Sequence, residues 1–149
     1  MGRFCFSLQN ILNMKEKLET QAKNEYAQAN ARLLMEQEKL WQLENRLQRN
    51  QELLKKELET SLTLKKIRKL RQDGEVLENY IQQQKLVIVR CEAEVENARK
   101  KLTEAMKERK IFEKLREKAW RQFQKEELLK EQKEVDELVS YTYSKERKN

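Results

Sequence analysis

The sequence predicts an all-α fold: a long two-helix antiparallel coiled-coil hairpin formed within one chain. Three observations lead there. Aliphatic residues recur every seven positions in two separate rows. The first row is Leu33, Leu40, Leu47 and Leu54, with Tyr26 and Leu12 further back on it; the second is Ile81, Ile88, Val95 and Leu102. A helix with a strict seven-residue apolar period must supercoil to keep that row against a partner. The chain also has no proline, and its only glycines are Gly2 and Gly74, so almost nothing interrupts a helix. Finally, hydrophobic residues make up 38% and charged residues 40%, enough apolar surface for a narrow seam but not for a multilayer core. All 149 residues are therefore read as a single coiled-coil domain.

The first helix is expected over residues 7–62. Ser7 is placed as its N-cap, because a serine hydroxyl accepts a backbone N–H that the first turn leaves unpaired. Phe6 before it and Ile11 in the next turn have the spacing of a hydrophobic staple. Leu8, Ala22, Ala29, Leu43 and Leu64 fill the companion positions of the seam. Lys15, Glu19, Glu36, Asn50 and Glu57 stand where leucine is expected. Two readings of them stay open: polar seam residues that fix register and orientation, or places where the helix pair splays. Trp41 follows the seam residue Leu40 and is expected to point away from the partner helix, either as a contact for another protein or lying along the flank.

The connection is expected within residues 60–75. Thr60, Ser61 and Thr63 weaken the helical signal, and the seam slips there. Lys65, Lys66, Arg68, Lys69 and Arg71 form a basic cluster interleaved with Leu64, Ile67 and Leu70. It reads either as a docking surface for an acidic partner or anionic lipid, or as cations complementing the dipole at the C-terminus of the first helix. The second reading is preferred. Asp73-Gly74 is the turn signal, with Asp73 able to cap the second helix.

The second helix is expected over residues 76–140, with Leu77, Cys91, Ala98, Ala105, Phe112 and Ala119 as companions to its row. Arg109 and Arg116 fall on the seam, surrounded by Met106, Leu115, Trp120 and Phe123, and their stems can cover apolar surface while the guanidinium reaches water. Charge density rises after Lys125, and Tyr141, Thr142, Tyr143 and the closing residues to Asn149 are expected to fray. Two helices of about 60 residues imply a rod on the order of 90 Å long. In a hairpin folded at Gly74, Cys91 faces the neighbourhood of Leu54 and Cys5 lies too far away for a disulfide. The N-terminus lacks the apolar run of a signal peptide and no stretch is long enough to span a bilayer, so a cytosolic protein is expected.

No catalytic constellation is present. There is no histidine, no phosphate-cradling glycine loop and no paired nucleophile and base, so no enzyme, no cofactor and no metal site is expected. The net charge of +7 raises nucleic-acid binding, but 33 basic residues are interleaved with 26 acidic ones and no base-reading motif appears.

Phe4-x-Phe6-x-Leu8 followed by Leu12, an Ala/Glu/Lys-rich helix, a central turn, the run Lys110 to Lys118 and the late run Glu131 to Glu137 together resemble the flagellar export protein FliJ, and more loosely the type III secretion stalk proteins of the YscO kind. The resemblance covers nearly the whole chain. It implies a non-enzymatic component of the bacterial flagellar export apparatus, an antiparallel coiled coil similar to the central stalk of rotary ATPases. The implied partners are the hexameric flagellar export ATPase, the export gate protein FlhA and export chaperones, with no nucleic acid and no direct membrane insertion. The implied location is the cytoplasm, peripheral to the inner membrane at the flagellar base. Phe4, Phe6, Leu8, Leu12, Lys133, Asp136 and Glu137 are the expected contacts to the ATPase ring. Leu43, Leu47, Tyr80 and Gln84 are the expected gate contacts, on the two helices toward the turn. The competing readings are a scaffolding coiled coil that dimerises as one long helix and, third, a basic rod binding nucleic acid.

Overall fold

The computed structural model describes residues 2–61 and 63–147. Two helices carry almost all of them, α1 (Gln9–Thr60) and α2 (Leu64–Arg147), packed against each other as the predicted hairpin; no strand occurs among the described residues.

The helix ends follow from local hydrogen bonding. The Phe6 carbonyl accepts the Gln9 N–H at 3.1 Å, closing a turn over Ser7 and Leu8, and the Leu8 carbonyl accepts the Leu12 N–H at 3.0 Å. The helix thus begins two residues after the predicted cap at Ser7. At its other end the Thr60 hydroxyl donates to the Lys56 carbonyl at 2.6 Å. The Ser61 N–H still reaches the Glu57 carbonyl at 3.2 Å, and α1 ends at Thr60. The Thr63 carbonyl then accepts the Ile67 N–H at 3.0 Å, which makes Thr63 the N-cap residue of α2. Leu62, which falls inside the predicted connection, lies outside the described residues.

The predicted turn at Asp73-Gly74 is a correction: α2 runs straight through it. A glycine in a helix interior costs about 1 kcal/mol relative to alanine, too little to break a helix packed on both sides of it. Gly74 is buried against α1. A Cβ on it would come within 2.8 Å of Asn50 Oδ1, so the glycine makes room for the asparagine. Because the chain reverses between Thr60 and Leu64, the helices pair about 20 residues out of the register that a reversal at Gly74 would give. Contacts of Gln84 with Glu36 and of Glu94 with Arg32 bracket Cys91, which therefore lies across from residues 32–36 and not from Leu54. Cys91 is 2% exposed and, like Cys5, a free thiol. Leu64, predicted beside the first seam, instead opens α2 and is 78% exposed.

The C-terminal segment expected to fray is helical to Arg147. The Thr142 hydroxyl donates to the Leu138 carbonyl at 2.9 Å, the Arg147 guanidinium lies 5.7 Å from the Tyr143 ring centre, and Lys145 and Arg147 complement the dipole of the last turn. Lys148 and Asn149, also in that prediction, lie outside the described residues.

The chain forms two compact units. One is Gln21–Thr103, with the connection between the helices. Here Ala22, Ile81, Ile88 and Cys91 are buried, flanked by half-buried Tyr26, Ala29, Leu33, Leu40, Leu43, Leu47, Leu54, Val95, Ala98 and Leu102. The other unit joins the residues up to Thr20 with those from Glu104 onward. Leu12 and Glu19 are its buried seam residues, with Ala105, Met106, Phe112 and Ala119 half-buried opposite.

Polar seam residues meet polar or small partners across the seam. Lys15 Nζ donates to Glu108 at 2.7 Å. Glu19 pairs with Arg109, which also holds Glu113 at 2.7 Å. Gln84 donates to the Glu36 carbonyl at 2.9 Å and to its carboxylate at 2.6 Å. Asn50 packs on Gly74. These pairings favour the register reading over local splaying. Glu57, next to the connection, is the exception: its Oε1 is buried without a hydrogen-bond partner among the described residues.

Candidate partner-docking site

The N-terminal arm, residues 2–8, lies against α2 by aromatic packing. The Phe4 ring meets Trp120 edge-on at 5.1 Å and Phe123 at 5.4 Å, and Trp120 and Phe123 stack at 5.8 Å. The Arg116 guanidinium covers Phe4 at 5.6 Å while its Nε donates to Gln9 Oε1 at 2.9 Å. A Cβ on Gly2 would lie 3.1 Å from the Glu127 carboxylate, so the arm reaches the level of that residue. Phe4 is half-buried by this packing, Phe6 and Leu8 are half-buried as well, and Leu12, at 3% exposure, is a seam residue that presents almost no surface to a partner.

Beyond Glu127 α2 continues for 20 residues, every one of them exposed. Most of its apolar residues share a side, with Leu129 and Tyr141 off it. Leu128, Val135, Val139 and Thr142 fall on one face at helical spacing, flanked by Leu138 and Tyr143, with Lys130, Lys133 and Glu137 opposite. The leucines and valines of this stretch are 56–65% exposed. None of the described residues covers this apolar face, which makes it the candidate docking surface. Of the predicted ring contacts, Lys133, Asp136 and Glu137 lie here, about 15 Å along α2 from the Phe4 cluster, so the structure does not bring the two groups together. Leu128, Val135, Leu138 and Val139 escaped the sequence reading; their own four- and seven-residue spacing was the available signal, masked by the charge around them.

The predicted gate contacts divide. Leu43 and Leu47 are half-buried in the seam. Gln84 is occupied by Glu36, and that hydrogen bond, helped by Lys39, holds the Glu36 carboxyl below the usual carboxylate range. Tyr80 is exposed, as is Trp41, at 55% and 57%. Neither helix is long and apolar enough to cross a membrane, and no cluster of metal-ligating side chains occurs among the described residues.

Among solved structures, one described as a YscO homologue from Chlamydia trachomatis superposes with a TM-score of 0.69 over 99% of each chain at 22% identity, which establishes the shared fold. The flagellar FliJ protein of Bacillus subtilis (strain 168) is 31% identical over 135 residues, covering 91% of this chain and 92% of that one. The family model described as flagellar FliJ protein matches residues 4–148. With that match spanning both helices, the N-terminal arm and the exposed C-terminal helix, the chain belongs to the FliJ family of flagellar type III export components.

Proposed function

We propose that this protein is a non-enzymatic stalk and adaptor of the export apparatus, which inserts the end carrying both chain termini in the ring of the hexameric export ATPase. In this reading it couples that ring to the gate protein FlhA and escorts export chaperones on the cytoplasmic side of the inner membrane. The observation that carries it is the exposed apolar face of α2 after Glu127: Leu128, Val135 and Val139 are 56–65% exposed, in the unit where Phe4 ties the N-terminal arm to the same helix. A ring lined by complementary apolar surface would cover that face. The two-helix seam supplies stiffness, because polar pairs such as Glu19–Arg109 and Glu36–Gln84 resist sliding of one helix along the other. On the other unit, Trp41 and Tyr80 are the exposed side chains proposed to meet the gate.

The test mixes the protein with the cognate ATPase and follows hydrolysis. Wild type is expected to stimulate it, and Leu128→Ser/Val135→Ser/Val139→Ser to weaken ring binding at least tenfold at unchanged helicity; three half-exposed aliphatic contacts of about 1 kcal/mol each suffice. Trp41→Ala/Tyr80→Ala is expected to keep stimulation and to lose gate binding. A protein that leaves hydrolysis unchanged contradicts the stalk reading.

A further inference from the structure

We propose that the connection end of the helix pair, residues 46–72, docks on an anionic phospholipid surface. The inference does not rest on the ATPase-stalk reading, since the surface lies in the Gln21–Thr103 unit and needs no ring.

Charge is concentrated there. Residues 46–72 hold nine Lys and Arg against three Asp and Glu, a net +6 in a chain whose total is +7. Asn50 packs on Gly74, so Asp73, Glu75 and Glu78 share the level of Arg46 and Arg49 and offset them; the excess of cations lies beyond that contact, where residues 52–72 hold seven Lys and Arg against three Asp and Glu, a net +4.

The fold also removes the internal reason for this cluster. Cations at a helix C-terminus stabilise the dipole, but Lys65, Lys66, Arg68, Lys69 and Arg71 occupy the first two turns of α2, whose first turn has no acidic residue. At a helix N-terminus cations oppose the dipole. All five are exposed, and none forms an ion pair among the described residues. Repulsion among them, added to the dipole, works against the fold. An anionic surface relieves both.

The apolar residues between the charges select the kind of surface. Leu53, Leu58 and Leu64 are 56%, 42% and 78% exposed, and Leu64 stands at the first position of α2 beside Lys65 and Lys66. Aliphatic side chains among lysines and arginines suit a headgroup layer, where the chains enter the acyl boundary while the cations stay with the phosphates. A single-stranded nucleic acid would want aromatic platforms, and residues 46–72 contain no Phe, Trp or Tyr.

The test is sedimentation of the full chain with vesicles of phosphatidylcholine alone or mixed with phosphatidylglycerol at about seven to three, in about 0.1 M salt. Wild type is expected to bind the mixed vesicles and not the neutral ones, with release in high salt. Replacing Lys65, Lys66, Arg68, Lys69 and Arg71 by Gln is expected to weaken binding by about a hundredfold or more, given roughly 1 kcal/mol per basic residue at such a surface. Replacing Lys100, Lys101, Lys110, Lys114 and Lys118 by Gln removes the same charge elsewhere and is expected to change it less than threefold. Leu64→Ser is expected to weaken binding severalfold while leaving the salt dependence intact. Circular dichroism establishes that each variant is folded. Equal loss from the two five-site variants, equal binding to neutral vesicles, or tighter binding to polyglutamate or duplex DNA than to the mixed vesicles would each overturn the proposal.

Discussion

Asn50 and Gly74 form a pair whose two members make sense only together. Alone, the asparagine is a polar group in a seam position and the glycine a weak point in a helix. Packed together, the glycine vacates the volume that the side-chain amide occupies. The pair predicts a double-mutant cycle. In an Asn50→Ala background, Gly74→Ala is expected to stabilise by about 1 kcal/mol through helix propensity. In the wild-type background that gain is expected to be cancelled or reversed, a coupling of roughly 1–2 kcal/mol measured by urea unfolding. Equal gains in both backgrounds would contradict the packing argument. Glu19–Arg109 gives a second expectation. Removing Arg109 alone leaves the Glu19 carboxylate, 5% exposed, without that cation, so Arg109→Leu is expected to destabilise more than Glu19→Leu/Arg109→Leu does. Glu36 adds a pH dependence. Its folded pKa is lowered first by Gln84 and then by Lys39, so the stabilisation is fully present above the ordinary carboxylate range and is lost as pH falls through the lowered value. Gln84→Met is therefore expected to lower Tm at neutral pH and to flatten its decline on acidification, read by thermal melts from about pH 6 to pH 3.

Among the elements, the two heptad rows were plain in the sequence because they are long: Leu33 to Leu54 and Ile81 to Leu102 need no tertiary information to be seen. The position of the reversal was harder, since Asp-Gly is a strong local turn signal. The deciding information was the phase. Ile67, Gly74 and Ile81 are spaced by seven, as are Leu70, Leu77 and Gln84, so the second seam already runs through Gly74, and the phase breaks only between Glu57 and Ile67. A local propensity of about 1 kcal/mol lost to a period sustained over many turns. The polar contacts were legible as positions but not as partners, because pairing Glu36 with Gln84 or Lys15 with Glu108 requires the register that the misplaced turn concealed. The N-terminal arm shows the same limit: the phenylalanines stood out, but their seat on Trp120 and Phe123 did not. Phe4→Ala is expected to detach the arm, lowering stability by about 1–3 kcal/mol for a half-buried aromatic. Faster proteolysis before Gln9 and a red shift of Trp120 emission would report it.

For the whole molecule, two surfaces are proposed to carry function: the apolar helix face after Glu127, in the unit that holds both termini, and the basic stretch at the connection, in the Gln21–Thr103 unit. Family membership places the chain in flagellar export, where the two surfaces would offer partners different chemistries and the polar pairs within each unit resist slipping of one helix along the other. All of this depends on the chain reversing between Thr60 and Leu64 with Arg32 beside Glu94. Pulsed electron paramagnetic resonance on spin labels at Arg32→Cys and Glu94→Cys, in a Cys5→Ser/Cys91→Ala background diluted with unlabelled protein, measures that juxtaposition within one molecule. A single narrow distance below about 25 Å is expected, the Cβ separation of facing helices widened by the labels. A distance on the order of 90 Å, the length of 62 residues of continuous helix, or one near 30 Å, as a reversal at Gly74 would give by displacing the pair about 20 residues along the axis, would contradict the account.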